Sequence, residues 1–138
     1  MSVLYVVATP IGNLSDISQR ASDTLRMVDL IAAEDTRRTS ILLKHLGIEK
    51  KEIISFHKFN EAEKTPQLLA RLRSGESVAV VSDAGTPLIS DPGFSIVREA
   101  WSQQIQISPI PGPSSIIAAL SICPLNIDRW NFFGFMPS

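Results

Sequence analysis

The sequence predicts an α/β domain: an open, mostly parallel sheet with helices on both faces, in three layers. Three observations point to it. Short apolar runs alternate about five times with segments of helical period, the pattern of strand–helix–strand units. Those runs lack polar alternation, as strands buried on both faces do. Most of them end in a cluster rich in glycine, proline or charge.

The first run, Val3 to Ala8, ends at Thr9-Pro10-Ile11-Gly12-Asn13, a loop with two chain breakers. Ile17, Ala21, Leu25 and Val28 then recur at helical spacing, with Ser15 or Asp16 as the expected cap. A second strand, Leu30 to Ala33, gives way to Glu34-Asp35-Thr36-Arg37-Arg38. Asp35 or Thr36 caps a helix through Leu42, Leu43 and Leu46 that stops at Gly47. Ile53 to Phe56 is a weaker strand before the polar stretch His57-Lys58-Phe59-Asn60-Glu61. The next helix buries Leu68, Leu69 and Leu72, and Pro66 belongs in its first turn or kinks it.

Val78 to Val81 is another doubly buried strand, and it opens the densest loop, residues 82–93. Asp91-Pro92 reads there as a helix cap followed by an N1 proline. Phe94, Val97 and Trp101 form the stripe of the following helix. Ile105 and Ile107 predict a strand, and Pro109 to Ser115 a loop opening the helix Ile116 to Leu120. Trp130 to Phe135 reads as a last strand.

A chain of 138 residues with 44% hydrophobic and 20% charged residues has the size and composition of one domain. Residues 1–138 are therefore expected to form a single α/β domain, and the stop straight after an aromatic run, without a polar tail, leads us to expect that it is excised from a longer protein. The formal net charge of -1 excludes a generally polycationic nucleic-acid binder, so any RNA contact must use a local patch. One cysteine, Cys123, allows no disulfide framework and fits a reducing compartment. No apolar run approaches the roughly 20 residues that span a bilayer, and no basic leader precedes the first strand. A cytoplasmic protein without membrane contact is expected.

In open α/β sheets, ligands bind beyond the carboxyl ends of the strands. Five clusters gather on that rim: 9–13, 34–38, 57–61, 82–93 and 109–115. In the 82–93 loop, Gly85 permits close backbone approach or positive φ, while Pro87 and Pro92 stiffen the segment before a ligand arrives. Asp83, Thr86 and Ser90 supply polar atoms. A tight strand-to-helix connection without a ligand is the plainer alternative, and the loop's length weighs against it. Ser114 and Ser115 open a helix whose free N–H groups suit a carboxylate or phosphate, although ordinary capping explains them equally well. No Gly-x-Gly-x-x-Gly motif or Gly-Lys-Ser/Thr phosphate loop is present, and two histidines with one cysteine give no zinc spacing, so no metal is expected.

Three stretches carry a resemblance: Thr9 to Leu14, Ala33 to Arg37, and above all Ser82-Asp83-Ala84-Gly85-Thr86-Pro87-Leu88-Ile89-Ser90-Asp91-Pro92-Gly93. With Pro111 to Ser114, they resemble the bacterial methyltransferases that modify small-subunit ribosomal RNA. Those enzymes are a branch of the tetrapyrrole-methylase-like, or class III, methyltransferases. The resemblance implies the fold of that superfamily's N-terminal domain and a second, C-terminal domain missing here. It also implies 2′-O-methyl transfer from S-adenosylmethionine to a cytidine ribose in 16S rRNA. By analogy, Pro10, Asp83, Gly85, Thr86, Pro87, Leu88, Ile89, Ser114 and Ser115 line the methyl-donor cleft. Asn13, Arg37, Arg38, Asn60 and Glu61 face the RNA, with the arginines on flanking phosphates. Glu34, Asp35 and His57, together with Asp83, are the candidates for accepting the hydroxyl proton or positioning the ribose.

Two other functions stay open from sequence. A tetrapyrrole or corrinoid acceptor is disfavoured by the charged Glu34 to Arg38 rim, since such a pocket should be more apolar. A non-catalytic module that binds RNA or a partner is disfavoured by the net charge. The aromatic end (Trp130, Phe132, Phe133, Phe135) is expected to be covered by the missing domain or by a second copy in a homodimer.

Overall fold

The computed structural model describes all of Met1–Ser138. Strands β1 (Val3–Val7), β2 (Leu30–Ala33), β3 (Glu52–Ser55), β4 (Val78–Val81) and β5 (Gln106–Ile110) form one sheet in the order β3-β2-β4-β1-β5. Every pairing is parallel, so the sheet is wholly and not just mostly so. β2 and β4 are buried at every residue, as their unbroken apolar runs require. β5 reaches Ile110, past the loop expected from Pro109. Its place at the sheet edge makes this possible, because a proline there sacrifices no ladder bond.

The period of two along the strands divides the core. One face, with Val7, Ile31, Ala33, Ala79 and Val81, packs on helices α1 (Gln19–Met27) and α2 (Thr36–His45). The other, with Leu4, Leu30, Ala32, Val78 and Val80, packs on α3 (Glu61–Arg73) and α4 (Phe94–Ser102). A fifth helix, α5 (Ser115–Ser121), buries no residue fully. Three layers result.

Several local expectations change. Ser18, not Ser15 or Asp16, caps α1, because Leu14–Asp16 forms a short 3₁₀ turn of its own, capped by Asn13. Pro66 is neither in the first turn nor buried: it is the sixth residue of α3, on the exposed side. There the carbonyl it leaves without an N–H partner can be hydrated. In α4 the inward positions are Ile96 and Ala100, while Phe94 and Trp101 are 65% and 72% exposed. Both registers fit a helical period, and the smaller pair is the one that packs against the buried sheet. Residues 130–135 form no strand and lie exposed beside the rim.

Candidate functional site

Strand order creates the site. β1 leads past β4 to β2, whereas neighbouring β4 leads past β1 to β5, so the chain leaves these two central strands in opposite directions. Such a switch point opens a crevice at the carboxyl ends.

Loops from three strands close over it. The backbone N–H of Thr9 donates to the Gly85 carbonyl and that of Gly85 to the Thr9 carbonyl, both at 2.9 Å, joining the loops after β1 and β4. Gly85 sits at φ +80°, and a Cβ there would meet Ile11 Cγ2 at 3.4 Å and the Pro113 carbonyl at 3.7 Å. The left-handed conformation therefore favours glycine, while the space around it would take a Cβ in ordinary contact. The Thr86 hydroxyl donates to the Pro113 carbonyl at 3.1 Å and brings in the loop after β5.

These contacts shape a cleft of about 330 Å³, lined by Ala84, Gly85, Thr86, Ile89, Asp91, Ser114, Ser115, Ile116, Ile117, Trp130 and Phe132. Its size and mixed lining suit a small organic ligand, with apolar walls and few polar atoms. Of the nine donor-site candidates, Gly85, Thr86, Ile89, Ser114 and Ser115 line it. Pro87 is buried and does not line it. Leu88 turns away: at φ +73° its side chain packs where a Cβ on Gly93 would fall, 2.9 Å from Leu88 Cδ1. Pro10 and Asp83 line a separate small cavity with Arg38. Ser114 caps α5, its hydroxyl accepting from the Ile117 N–H at 3.3 Å. Sequence reading missed Trp130 and Phe132, whose aromatic run imitated a strand, and Ile116 and Ile117, assigned only to a helix.

The rim beyond β2 and β3 is differently built. Glu34 accepts from the Asp83 N–H at 3.0 Å, and Asp83 accepts from the Asp35 N–H at 3.0 Å, a reciprocal clasp between the loops after β2 and β4. Asp35 caps α2 through the Arg37 N–H at 2.9 Å, and the Arg37 guanidinium forks onto the same carboxylate at 3.2 and 3.0 Å. The Arg37 hydrogen bonds hold the Asp35 carboxyl below the usual range. Arg37 itself is 87% exposed.

Asn60 is a turn lock, accepting from the His57 N–H at 2.8 Å and donating to the Ser55 carbonyl and hydroxyl. His57 Nδ1 accepts from the Phe59 N–H at 3.2 Å. In the neutral ring this leaves a protonated Nε2, a donor and not a base. Asn13 is likewise engaged locally, accepting from the Ser15 N–H. Glu61 accepts from the Gly93 N–H at 3.0 Å and the Ser95 hydroxyl at 3.1 Å. Gly93 is the N-cap of α4 and offers no side chain, so a carboxylate 32 positions away does the capping expected of Asp91.

Asp91 is thereby released. It lines the 330 Å³ cleft and also a second, polar cleft of about 670 Å³ with Glu34, His57, Lys58, Phe59, Glu61, Ser90, Pro92 and Phe135. Burial, then the charges of Glu34 and Asp83, push its carboxyl above the ordinary value, partly opposed by the Ser82 hydroxyl. Among His, Cys, Asp and Glu side chains, no group of three is placed to hold a metal ion. No helix is long and apolar enough to cross a membrane.

The Tetrapyrrole (Corrin/Porphyrin) Methylases match residues 3–131. The chain is 54% identical over 135 residues to the ribosomal RNA small subunit methyltransferase I of Xylella fastidiosa, covering 98% of this chain and 49% of that protein. Against the protein of the same name in Escherichia coli O157:H7 it is 52% identical over 135 residues, covering 98% and 47%. The chain thus spans about half the length of these curated relatives. A crystal structure of uroporphyrin-III-C-methyltransferase from Thermus thermophilus superposes with a TM-score of 0.65 at 20% identity, over 94% of this chain and 55% of that one. At that identity the likeness speaks for the fold.

Proposed function

Because the chain belongs to the tetrapyrrole (corrin/porphyrin) methylase family, we propose that it is the N-terminal half of an S-adenosylmethionine-dependent enzyme methylating small-subunit ribosomal RNA. The acceptor we assign is the 2′-hydroxyl of a cytidine ribose in 16S rRNA. The observation that carries this reading is the convergence of Thr9, Gly85, Thr86 and Pro113 into one cleft at the switch point. Identity of half or more to relatives named for small-subunit rRNA methylation favours RNA over a tetrapyrrole as acceptor.

The cleft fits the donor's chemistry. Ile89, Ile116, Ile117, Trp130 and Phe132 offer apolar surface for a purine, and Thr86 and Ser115 offer hydroxyls for the ribose and amino-acid parts. When bound, S-adenosylmethionine supplies a methyl group on a sulfonium, so the protein's main task is alignment. Thr86 and the Thr9–Gly85 bridge hold the wall rigid before the ligand arrives. On the neighbouring rim, Arg37 and Arg38 are exposed, and they are assigned to RNA phosphates. Locking Arg37 on Asp35 presents its remaining N–H edge in a fixed direction. The aromatic end and the uncovered α5 are assigned to the second domain, in an enzyme that works as a cytoplasmic homodimer.

The test is a titration of S-adenosylmethionine against this chain and against the full-length protein, followed by transfer of labelled methyl groups to 30S subunits. The expected result is donor binding and an alkali-resistant 2′-O-methyl cytidine with the full-length protein only. Methylation of a porphyrinoid with 30S subunits left unmodified would overturn the reading.

A further inference from the structure

We propose that Asp91 is the proton acceptor for the methyl transfer, the group that takes the proton of the acceptor hydroxyl at the junction of the two clefts. This rests on the methyltransferase reading above. The first observation is topological: Asp91 lines both the donor-sized cleft and the wider polar cleft beside it. It is the only titratable side chain in the first. A hydroxyl entering through the polar cleft to meet a methyl group in the other must pass this carboxylate.

The second observation is elimination by occupancy. Glu34, Asp35 and Asp83 each accept a hydrogen bond from a backbone N–H, and so does His57 through Nδ1. Both oxygens of Glu61 are engaged by Gly93 and Ser95. No backbone amide donates to Asp91. The Ser82 hydroxyl approaches it, but that hydroxyl also lies 3.3 and 3.4 Å from the carbonyls of Ala84 and Gly85. Asp91 is thus the rim carboxylate least committed to holding the fold.

Its surroundings suit the task. Glu34 faces it from the end of β2 and Asp83 from the end of β4; His57, Lys58 and Glu61 face the polar cleft from the β3–α3 connection and the start of α3. With burial, the two carboxylates push Asp91 upward, toward the basicity that efficient proton transfer near neutral pH demands. The step balances. The hydroxyl oxygen forms its bond to the methyl carbon as the O–H bond breaks, and the proton passes to Asp91. The electron pair of the broken carbon–sulfur bond stays on sulfur, leaving a neutral thioether, and Asp91 then returns the proton to water.

The experiment compares wild type with Asp91→Asn in the full-length protein. It uses single-turnover methylation of 30S subunits at saturating donor across pH 5–9, with donor affinity measured by calorimetry. The expected result is a loss of about 100-fold in rate, a donor affinity reduced less than tenfold, and disappearance of the acidic limb of the pH profile. A wild-type rate with the limb intact would overturn the proposal. So would a rate loss matched by an equal loss of donor affinity, which would make Asp91 a donor-binding residue. If Asp91→Asn does not fold, Asp91→Ser takes its place. A wild-type protein that neither binds the donor nor modifies 30S subunits would instead sink the methyltransferase reading itself.

Discussion

The two halves of the rim handle their polar atoms in opposite ways. Beyond β2 and β3, Glu34, Asp35, Asn60 and Glu61 each spend side-chain oxygens on backbone N–H groups, and His57 spends a ring nitrogen in the same way. Beyond β1, β4 and β5, the Thr9–Gly85 backbone bridge and the hydroxyls of Thr9 and Thr86, both on backbone carbonyls, hold the loops together, and no carboxylate is spent on joining them. Polar residues in a loop are therefore a poor guide to ligand contact by themselves. On one side they are the scaffold; on the other the scaffold is made by Gly85 and its bridge to Thr9, freeing side chains for a ligand.

That contrast predicts a graded set of effects. The largest is expected at Gly85. Gly85→Val places a branched side chain at φ +80° against Ile11 and Pro113, which costs about 1–3 kcal/mol in strain. Donor affinity in the full-length protein should drop by more than 100-fold while circular dichroism still reports a folded domain. An affinity within threefold of wild type would break the comparison.

Glu61→Ala should act the other way round. It strips Gly93 and Ser95 of their acceptor and should destabilise the fold by roughly 2–3 kcal/mol, read by urea unfolding. Donor affinity should change far less than in Gly85→Val. A stable variant with impaired RNA capture would instead return Glu61 to the RNA-facing set.

Asp91 sharpens the contrast through pH. Its folded-state carboxyl titrates above the ordinary value of 3.8, so ionising it opposes folding. That cost is absent below pH 3.8 and complete once the pH exceeds the folded value. Asp91→Asn should therefore melt higher than wild type at pH 7, with the gap closing as the pH falls toward 3.8. A lower melting temperature at pH 7 would show Asp91 to be part of the scaffold.

The smallest effect on stability belongs to Arg37→Ala. Its pair with Asp35 lies on the surface, where solvent screens it, so the urea midpoint should stay close to that of wild type. Capture of 30S subunits should weaken several-fold with donor affinity unchanged. A parallel loss of both would contradict the division between the two halves.

The fold was largely legible because its signal is local. Unbroken apolar runs marked β1, β2 and β4, and the clusters after them marked the rim. What was hidden depends on contacts far apart in sequence. Asp91-Pro92 has the local form of a helix start, yet Glu61 does the capping from α3. Phe94 and Trp101 share a period with Ile96 and Ala100, and only packing against the sheet decides which pair points inward. The aromatic alternation at 130–135 imitates a strand, but no neighbouring strand is placed to pair with it. In the site, Gly85 and Thr86 were readable from the chemistry of a tight loop. The separate cavity that takes Pro10 and Asp83 and the turn of Leu88 away from the cleft were not, since side-chain direction in an irregular loop has no period.

The most direct measurement is a crystal structure of the full-length protein with S-adenosylhomocysteine. The expected result is the ligand lying between Thr86 and Ser115, its sulfur on the side of Asp91 and its purine against Ile116 and Ile117. Ligand bound instead in the polar cleft beside Glu34, His57 and Glu61, or in the small Pro10–Asp83 cavity, would contradict it.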